Sequence, residues 1–264
     1  MTPDQISLTF RSARAAARPL PAYPGDQVPA TLSQAYSIQQ ASIAAWPDRV
    51  AGWKVAAIAP DWREAYPDER LVGPVFSRTL FIATTSAVSA PVIRGGYAAA
   101  EAEFAIRISD DFPVDTRFES VSDLLPYVAA VHAAIELAGS PLPNLSALGP
   151  GAVISDFGNN TGLIVGPALP DFFARDPAGW LVETDVNGAL AGSGSADRIP
   201  GGPLAALHFL ANSLVDRGSS LRPGDWVSTG ASTGVHPVAV GDQVAVRFDG
   251  KPAITLQVCE AVPA

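Results

Sequence analysis

The chain has 264 residues, 48% hydrophobic and only 16% charged, with 17 basic and 26 acidic side chains and a net charge of −9. This composition fills a substantial core and excludes a disordered chain. An acidic chain without a basic tract argues against nucleic acid or an anionic membrane as partner. A single cysteine, Cys259, excludes an intramolecular disulfide and a cysteine-rich zinc site, and suits a reducing compartment. The N-terminus lacks the charged start and apolar core of a secretory signal, and no apolar run approaches the ~20 residues that span a bilayer. A soluble, cytoplasmic protein is expected.

Residues 5–18 read as a short helix, ended by Pro19, Pro21 and Pro24. A second helix is expected over 31–45, capped by Thr31, with an apolar stripe of Leu32, Ala35, Tyr36, Ile38 and Ile43. These two helices read as an N-terminal subdomain, residues 1–49, followed by a second domain over 50–264. From Val50 the pattern changes to short strands broken by glycine and proline. The first, 50–56, carries Lys54, the only lysine before Lys251; it must snorkel outward or find an anionic partner. Strands are expected over 71–76 and 79–84.

The stretch 97–108 alternates Ala102, Phe104, Ile106 and Ile108 with Glu101, Glu103, Ala105 and Arg107, the period of a half-buried strand. Residues i and i+2 of a strand point the same way, so Glu101 and Glu103 project side by side. Two carboxylates held so close repel unless one is protonated or a cation lies between them. A cluster of hard oxygen ligands suits Mg²⁺, Mn²⁺ or Ca²⁺; two exposed glutamates on a solvated strand are the plainer alternative.

Residues 119–127 read as helical, and 128–137 as a buried strand carrying one carboxylate, Glu136, which needs a partner there. His132 reads as a core or edge histidine. Residues 141–151 read as a loop leading to the polar turn Asp156–Thr161 and a strand. Asn187-Gly188 marks a hairpin, Pro203–Arg217 a helix, and Asp249-Gly250 a terminal antiparallel hairpin holding an inert Cys259. Strands do not alternate regularly with long helices, so a mixed, mainly β core with a small helical N-terminal part is expected instead of a doubly wound sheet.

Four segments in order resemble the fumarylacetoacetate hydrolase superfamily, in its 2-keto-4-pentenoate hydratase and 2-oxo-3-hexenedioate decarboxylase branch. They are Gly52-Trp53-Lys54-Val55, Ala100-Glu101-Ala102-Glu103-Phe104-Ala105, Ala134-Ile135-Glu136-Leu137, and Leu221 through Gly230 with Thr233-Gly234. The resemblance implies an α+β fold: a twisted, mainly β-roll core with the helical N-terminal subdomain, in a homo-oligomer. It implies a divalent cation, Mg²⁺ or Mn²⁺, on Glu101, Glu103 and Glu136. It implies Lys54 as charge stabiliser or proton relay, Asp156 as an acid/base candidate, and Thr229, Gly230 and Thr233 against the substrate.

The implied reaction is hydration of 2-hydroxypenta-2,4-dienoate-type substrates from aromatic breakdown. Decarboxylation of a 2-oxo-enedioate, hydrolysis of an acylpyruvate, and a non-catalytic small-acid-binding subunit are the alternatives. A dicarboxylate needs a second cationic anchor, for which Arg63, Arg70 and Arg78 are available. Two departures from the family pattern bear on the substrate. Residues 55–59 lack the usual hydroxyls, and Ala231 stands where the late loop often has Ser or Thr.

Overall fold

The computed structural model describes residues 1–84, 87–170 and 172–263. The first helix, α1 (Pro3–Ala15), begins where Thr2 and Gln5 cap each other's backbone N–H groups, and a left-handed Ala17 at φ 50° ends it short of the prolines. Thr31 caps α2 (Leu32–Ala45), as the sequence predicts. Next come β1 (Val50–Ala57), β2 (Arg70–Phe76), β3 (Leu80–Ile82), β4 (Val88–Val92), β5 (Tyr97–Ile108) and β6 (Val128–Ser140). The segment before β6 is a 3₁₀ turn, Val121–Tyr127, because Pro126 cannot supply the N–H of a longer helix.

The expected loop at 141–151 instead holds α3 (Leu145–Leu148) and the start of α4 (Pro150–Ser155). Pro150 presets the first turn of α4, and Ala152 and Ile154 bury its inner side. The chain continues through β7 (Asn160–Ala168), β8 (Val182–Val186), β9 (Ala189–Gly194), α5 (Gly202–Asp216), β10 (Trp226–Ala231), β11 (His236–Pro237), β12 (Gln243–Phe248) and β13 (Lys251–Glu260). Both expected hairpins form around left-handed pairs, Asn187-Gly188 and Asp249-Gly250. Cys259 lies half-buried on β13.

Two mixed sheets result. The larger runs β2-β1-β10-β5-β6-β7-β3, with β11 also on β5; the smaller runs β4-β13-β12-β8-β9. β5 is the hinge of this arrangement. Its even residues, Ala102, Phe104, Ile106 and Ile108, face the main core, where Phe104 packs edge-on against Phe248 at 5.3 Å between centroids. α5 seals the same core with Leu207, Leu210 and Leu214. The odd face of β5 carries Glu101 and Glu103 and sits on a smaller apolar cluster of Val75, Ala105, Ala134, Leu163 and Val165. α2 is docked to the sheet by Gln39, whose amide donates to the carbonyls of Val72 and Ile154 at 3.0 Å each. This is the mixed, mainly β fold with a helical N-terminal part that the sequence predicts. Among the described residues, no helix is long and apolar enough to cross a membrane.

Candidate metal centre and substrate cavity

Antiparallel pairing sets Glu101 of β5 directly opposite Glu136 of β6, so the two carboxylates share a face, and Glu103 joins them one pleat along. All three are buried: Glu101 is 6% exposed, Glu103 1% and Glu136 0%. One oxygen from each lies within 4.8 Å of the others. On the far side of β10, Lys54 of β1 is equally buried, with its Nζ 3.3 Å from Glu136 Oε2.

A strained turn holds Lys54 in place. Its ammonium donates to Asn159 Oδ1 at 3.0 Å. Phe157, Gly158 and Asn159 are successive left-handed residues at φ 56°, 62° and 55°, a costly conformation for the two that carry a Cβ. Gly73, opposite Lys54 on β2, lets this turn come close: a Cβ there would lie 2.2 Å from the Phe157 carbonyl oxygen.

The remaining hydrogen bonds orient the carboxylates. Ser228 Oγ and the Gly230 N–H donate to Glu103 Oε2, the latter at 2.9 Å, and Asn160 Nδ2 donates to Glu136 Oε1 at 3.0 Å. Glu103 Oε1 and Glu136 Oε2 receive no hydrogen bond; the second faces only the Lys54 ammonium. Ionised, the cluster sets three negative charges against one positive. Two uncompensated negative charges in a buried site are costly, and one divalent cation cancels them. The all-oxygen donor set with two orphaned oxygens therefore fits a hard divalent ion.

Without a cation the same strain falls on protons. Burial and then the Glu136 charge push Glu101 up to about 7, with Lys54 opposing. Burial, Glu136 and Glu101 hold Glu103 well above the usual carboxylate range, despite Ser228 and Gly230. Burial works against the Lys54 charge, but Glu136, Glu101 and Glu103 outweigh it and its pKa is raised.

A cavity of about 410 Å³ opens onto this centre, lined there by Lys54, Glu101, Asn159 and Tyr97. Its wall is the apolar run Val55–Ala59 with Leu71, Val153 and Ile199; Arg70 and Arg198 also line it. The structure thus brings together Lys54, Glu101, Glu103 and Glu136. Thr229 and Gly230 line the cavity, though the Thr229 hydroxyl is donated to the Phe104 carbonyl at 2.7 Å. Thr233 lies off the lining, bonded to Thr184 and His236.

Asp156 is placed elsewhere. Arg14 grips both its carboxylate oxygens, at 2.6 and 3.0 Å, and Ser140 donates a third bond, so it is a buried ion pair away from the lining. His132 hydrogen-bonds the Gly166 carbonyl, 2.9 Å away, and takes no part. Asn159 joins the lining from the polar turn Asp156–Thr161, whose run of Asp, Asn and Thr side chains marks it in the sequence as able to line a polar site. Tyr97 and Arg198 join it without having been singled out; Tyr97 shares the strand parity of Glu101, a signal available in the sequence, and Arg198 carries no local signal.

The family model for the C-terminal part of fumarylacetoacetate hydrolase matches residues 53–259, which include every carboxylate of the cluster. The chain belongs to the fumarylacetoacetate hydrolase family. Among its curated relatives is the 4-oxalocrotonate decarboxylase of Pseudomonas sp. (strain CF600), 30% identical over 99 residues, which cover 38% of each chain. Another is the TodF product hydratase of Pseudomonas putida (strain F1), 32% identical over 167 residues, 61% of this chain and 59% of that one. The matched stretch spans under two thirds of either relative.

The fold agrees over nearly its whole length with 4-oxalocrotonate decarboxylase from Pseudomonas putida G7, complexed with magnesium and adipate: TM-score 0.79, 19% identity, 97% of each chain. Fumarylpyruvate hydrolase from Pseudomonas aeruginosa, complexed with Mn²⁺ and pyruvate, aligns at a TM-score of 0.58 with 17% identity, over 83% of this chain and 94% of that one. In this chain Glu101, Glu103 and Glu136 form a buried acidic cluster, and Ala56, Ala57 and Ala231 leave part of the cavity wall without hydroxyls.

Proposed function

We propose that this protein is a divalent-metal-dependent lyase that adds water to a 2-hydroxy-2,4-dienoate, the enol of an unsaturated 2-oxo acid. The observation that carries the reading is the buried cluster of Glu101, Glu103 and Glu136, short of two positive charges and opening into a largely apolar cavity. Glu101, Glu103 and Glu136 would hold Mg²⁺ or Mn²⁺. When bound, the cation supplies Lewis-acid stabilisation of the negative charge that develops on the substrate's 2-oxygen as protons move at C3 and C5.

The protein's own groups do the rest. Lys54, fixed by Asn159 and Glu136, places a protonated Nζ at the cavity floor, where it stabilises that developing charge and relays a proton. The Val55–Ala59 wall excludes bulk water from the carbon chain. Tyr97 carries the hydroxyl on β5 nearest in sequence to the carboxylates, and we assign it to holding the water that attacks C4. Gly230 serves doubly, lining the cavity and orienting Glu103 through its N–H. Asp156, engaged by Arg14, is left out of the chemistry. A cytoplasmic homo-oligomer, as the family resemblance implies, completes the proposal.

Decarboxylation of a 2-oxo-enedioate is the second reading, favoured by the 30% identity to a decarboxylase. The electron pair left by the broken C–C bond would pass into the substrate's conjugated 2-oxo group as an enolate, whose charge Lys54 and the cation would stabilise. An ultraviolet assay of metal-supplemented protein on 2-hydroxypenta-2,4-dienoate, with product analysis and a Lys54→Met variant, tests the proposal. Loss of dienol absorbance, formation of 4-hydroxy-2-oxopentanoate, and a fall of about 100-fold or more in the variant are expected. Release of CO₂ from a dienedioate with no hydration would favour the second reading. Turnover unaffected by the variant would remove Lys54 from the mechanism.

A further inference from the structure

The two faces of β1 open on different chambers. Lys54 reaches the metal centre. Trp53, one residue earlier, points the opposite way, into a cavity of about 340 Å³ between α2 and the C-terminal end of α5. The two cavities share no lining residue. β1 pairs Trp53 with Val227 of β10, so Asp225, two residues before Val227, has the same parity and lines the same chamber.

Two donors on this lining lack acceptors. Trp53 is 7% exposed, and its indole N–H has no hydrogen-bond partner among the described residues, although the nitrogen is not sealed from solvent. A tryptophan buried to this degree usually finds a partner for that N–H. Arg217, half-buried at the end of α5, has no ion-pair partner among the described residues, and its neighbour Asp216 is taken by Arg117. Its guanidinium lies 4.1 Å over the Tyr36 ring and gives one hydrogen bond, to Ser213. Its Nε donates to no group among the described residues, and its Nη2 is buried without a partner. Burial presses on this charge and lowers its pKa.

The charges of the lining do not cancel. Arg49, Arg217 and Arg222 face Asp48 and Asp225, which leaves one positive charge over, in a chain whose net charge is −9. Arg49 and Arg222 are exposed, so the inner cation is Arg217. Asp48 is already engaged by the Ser77 hydroxyl and the N–H groups of Arg49 and Arg78, and Asp225 accepts the Arg222 N–H. Between these groups the wall is apolar, formed by Ile43, Val50 and Leu214. An anion with an apolar body answers all of this. Its oxygens take the Trp53 N–H and the Arg217 guanidinium, and its carbons cover the wall.

We propose that this chamber is a second binding site, for a small organic acid with a single carboxylate on a compact apolar body. It is separate from the metal centre and does not depend on how that centre is read. A ligand there packs on the strand that carries Lys54, from the side opposite the metal centre, which is the position of an effector.

The probe is benzoate. Calorimetric titration of the Mg²⁺-loaded protein compares it with benzamide, which keeps the shape and loses the charge, in wild type, Trp53→Phe, Arg217→Gln and Glu103→Gln. One benzoate per chain is expected, bound about tenfold or more tighter than benzamide. Trp53→Phe keeps an aromatic ring and loses the N–H; it and Arg217→Gln each weaken benzoate about tenfold, with wild-type circular dichroism. Trp53→Phe decides alone if Arg217→Gln, which also loses its contact with Tyr36, does not fold. Glu103→Gln, at the metal centre, leaves benzoate affinity unchanged within about twofold. Wild type that binds no benzoate below about 1 mM, affinity unchanged in Trp53→Phe, or binding lost in Glu103→Gln but kept in Trp53→Phe overturns the site. None of these results bears against the metal-centred reading.

Discussion

Lys54 and Asp225 are two buried charges with opposite fates. Lys54 has three carboxylates around it and stays protonated; Asp225, just before β10, has no comparable compensation. Burial pushes its carboxyl up to about 6 from an ordinary 3.8, despite the Arg222 N–H bond and the charges of Arg222, Arg107 and Arg49. The sign follows directly. Between pH 4 and 6 the unfolded chain has lost this proton and the folded chain keeps it, so stability falls as pH rises through that window and levels off above it. Asp225→Asn is expected to remove that slope and raise stability at pH 7 by on the order of 2 kcal/mol, read by urea unfolding at pH 4.5 and 7. An unchanged slope would contradict the assignment. Single residues were legible in the sequence where they broke a local pattern: two glutamates on one strand face, Glu136 in an apolar run, Lys54 in another. Asp156 sits in an equally polar turn, but its partner Arg14 is 142 residues away, and no local pattern announces that pairing.

At the scale of elements, the centre depends on a strand meeting a turn. The left-handed run Phe157–Asn159 fits against β2 because Gly73 has no side chain. Gly73→Ala would drive a Cβ into the Phe157 carbonyl, and is expected to cost about 2–4 kcal/mol. Turnover should fall further than stability, because Asn159 would shift from Lys54. Chemical denaturation together with specific activity per folded molecule checks this; full activity with unchanged stability would show that the turn has room to spare. The elements with strong turn chemistry, the hairpins at Asn187-Gly188 and Asp249-Gly250, were legible. The short helices α3 and α4 were not. Glycine and proline around them read equally as loop, and only packing of Leu145 and Ala152 into the N-terminal cluster, and of Ile154 into the main core, makes them helical.

Across the whole molecule, the Arg14–Asp156 pair ties α1 to the end of α4, and Arg14 also reaches the carbonyls of Gly139 and Asn160. Asp156→Asn leaves a buried guanidinium uncompensated and is expected to cost about 3–5 kcal/mol, while the activity of the molecules that remain folded is retained. Loss of activity without loss of stability would return Asp156 to the chemistry. The mainly β core with two helices ahead of it was legible from strand and turn periodicity. The pairing order of the larger sheet, which sets Lys54 beside Glu136, depends on long-range contacts that no window of sequence contains. The central claim is that three buried carboxylates and one lysine make a site for a single divalent cation. Its most direct measurement is Mn²⁺ binding to chelator-treated protein, by electron paramagnetic resonance or calorimetry, in wild type and in Glu103→Gln. One Mn²⁺ per chain, displaced by Mg²⁺ and lost or greatly weakened in the variant, is the predicted result. Wild-type protein that binds no Mn²⁺, or a variant that binds it equally well, would contradict the account.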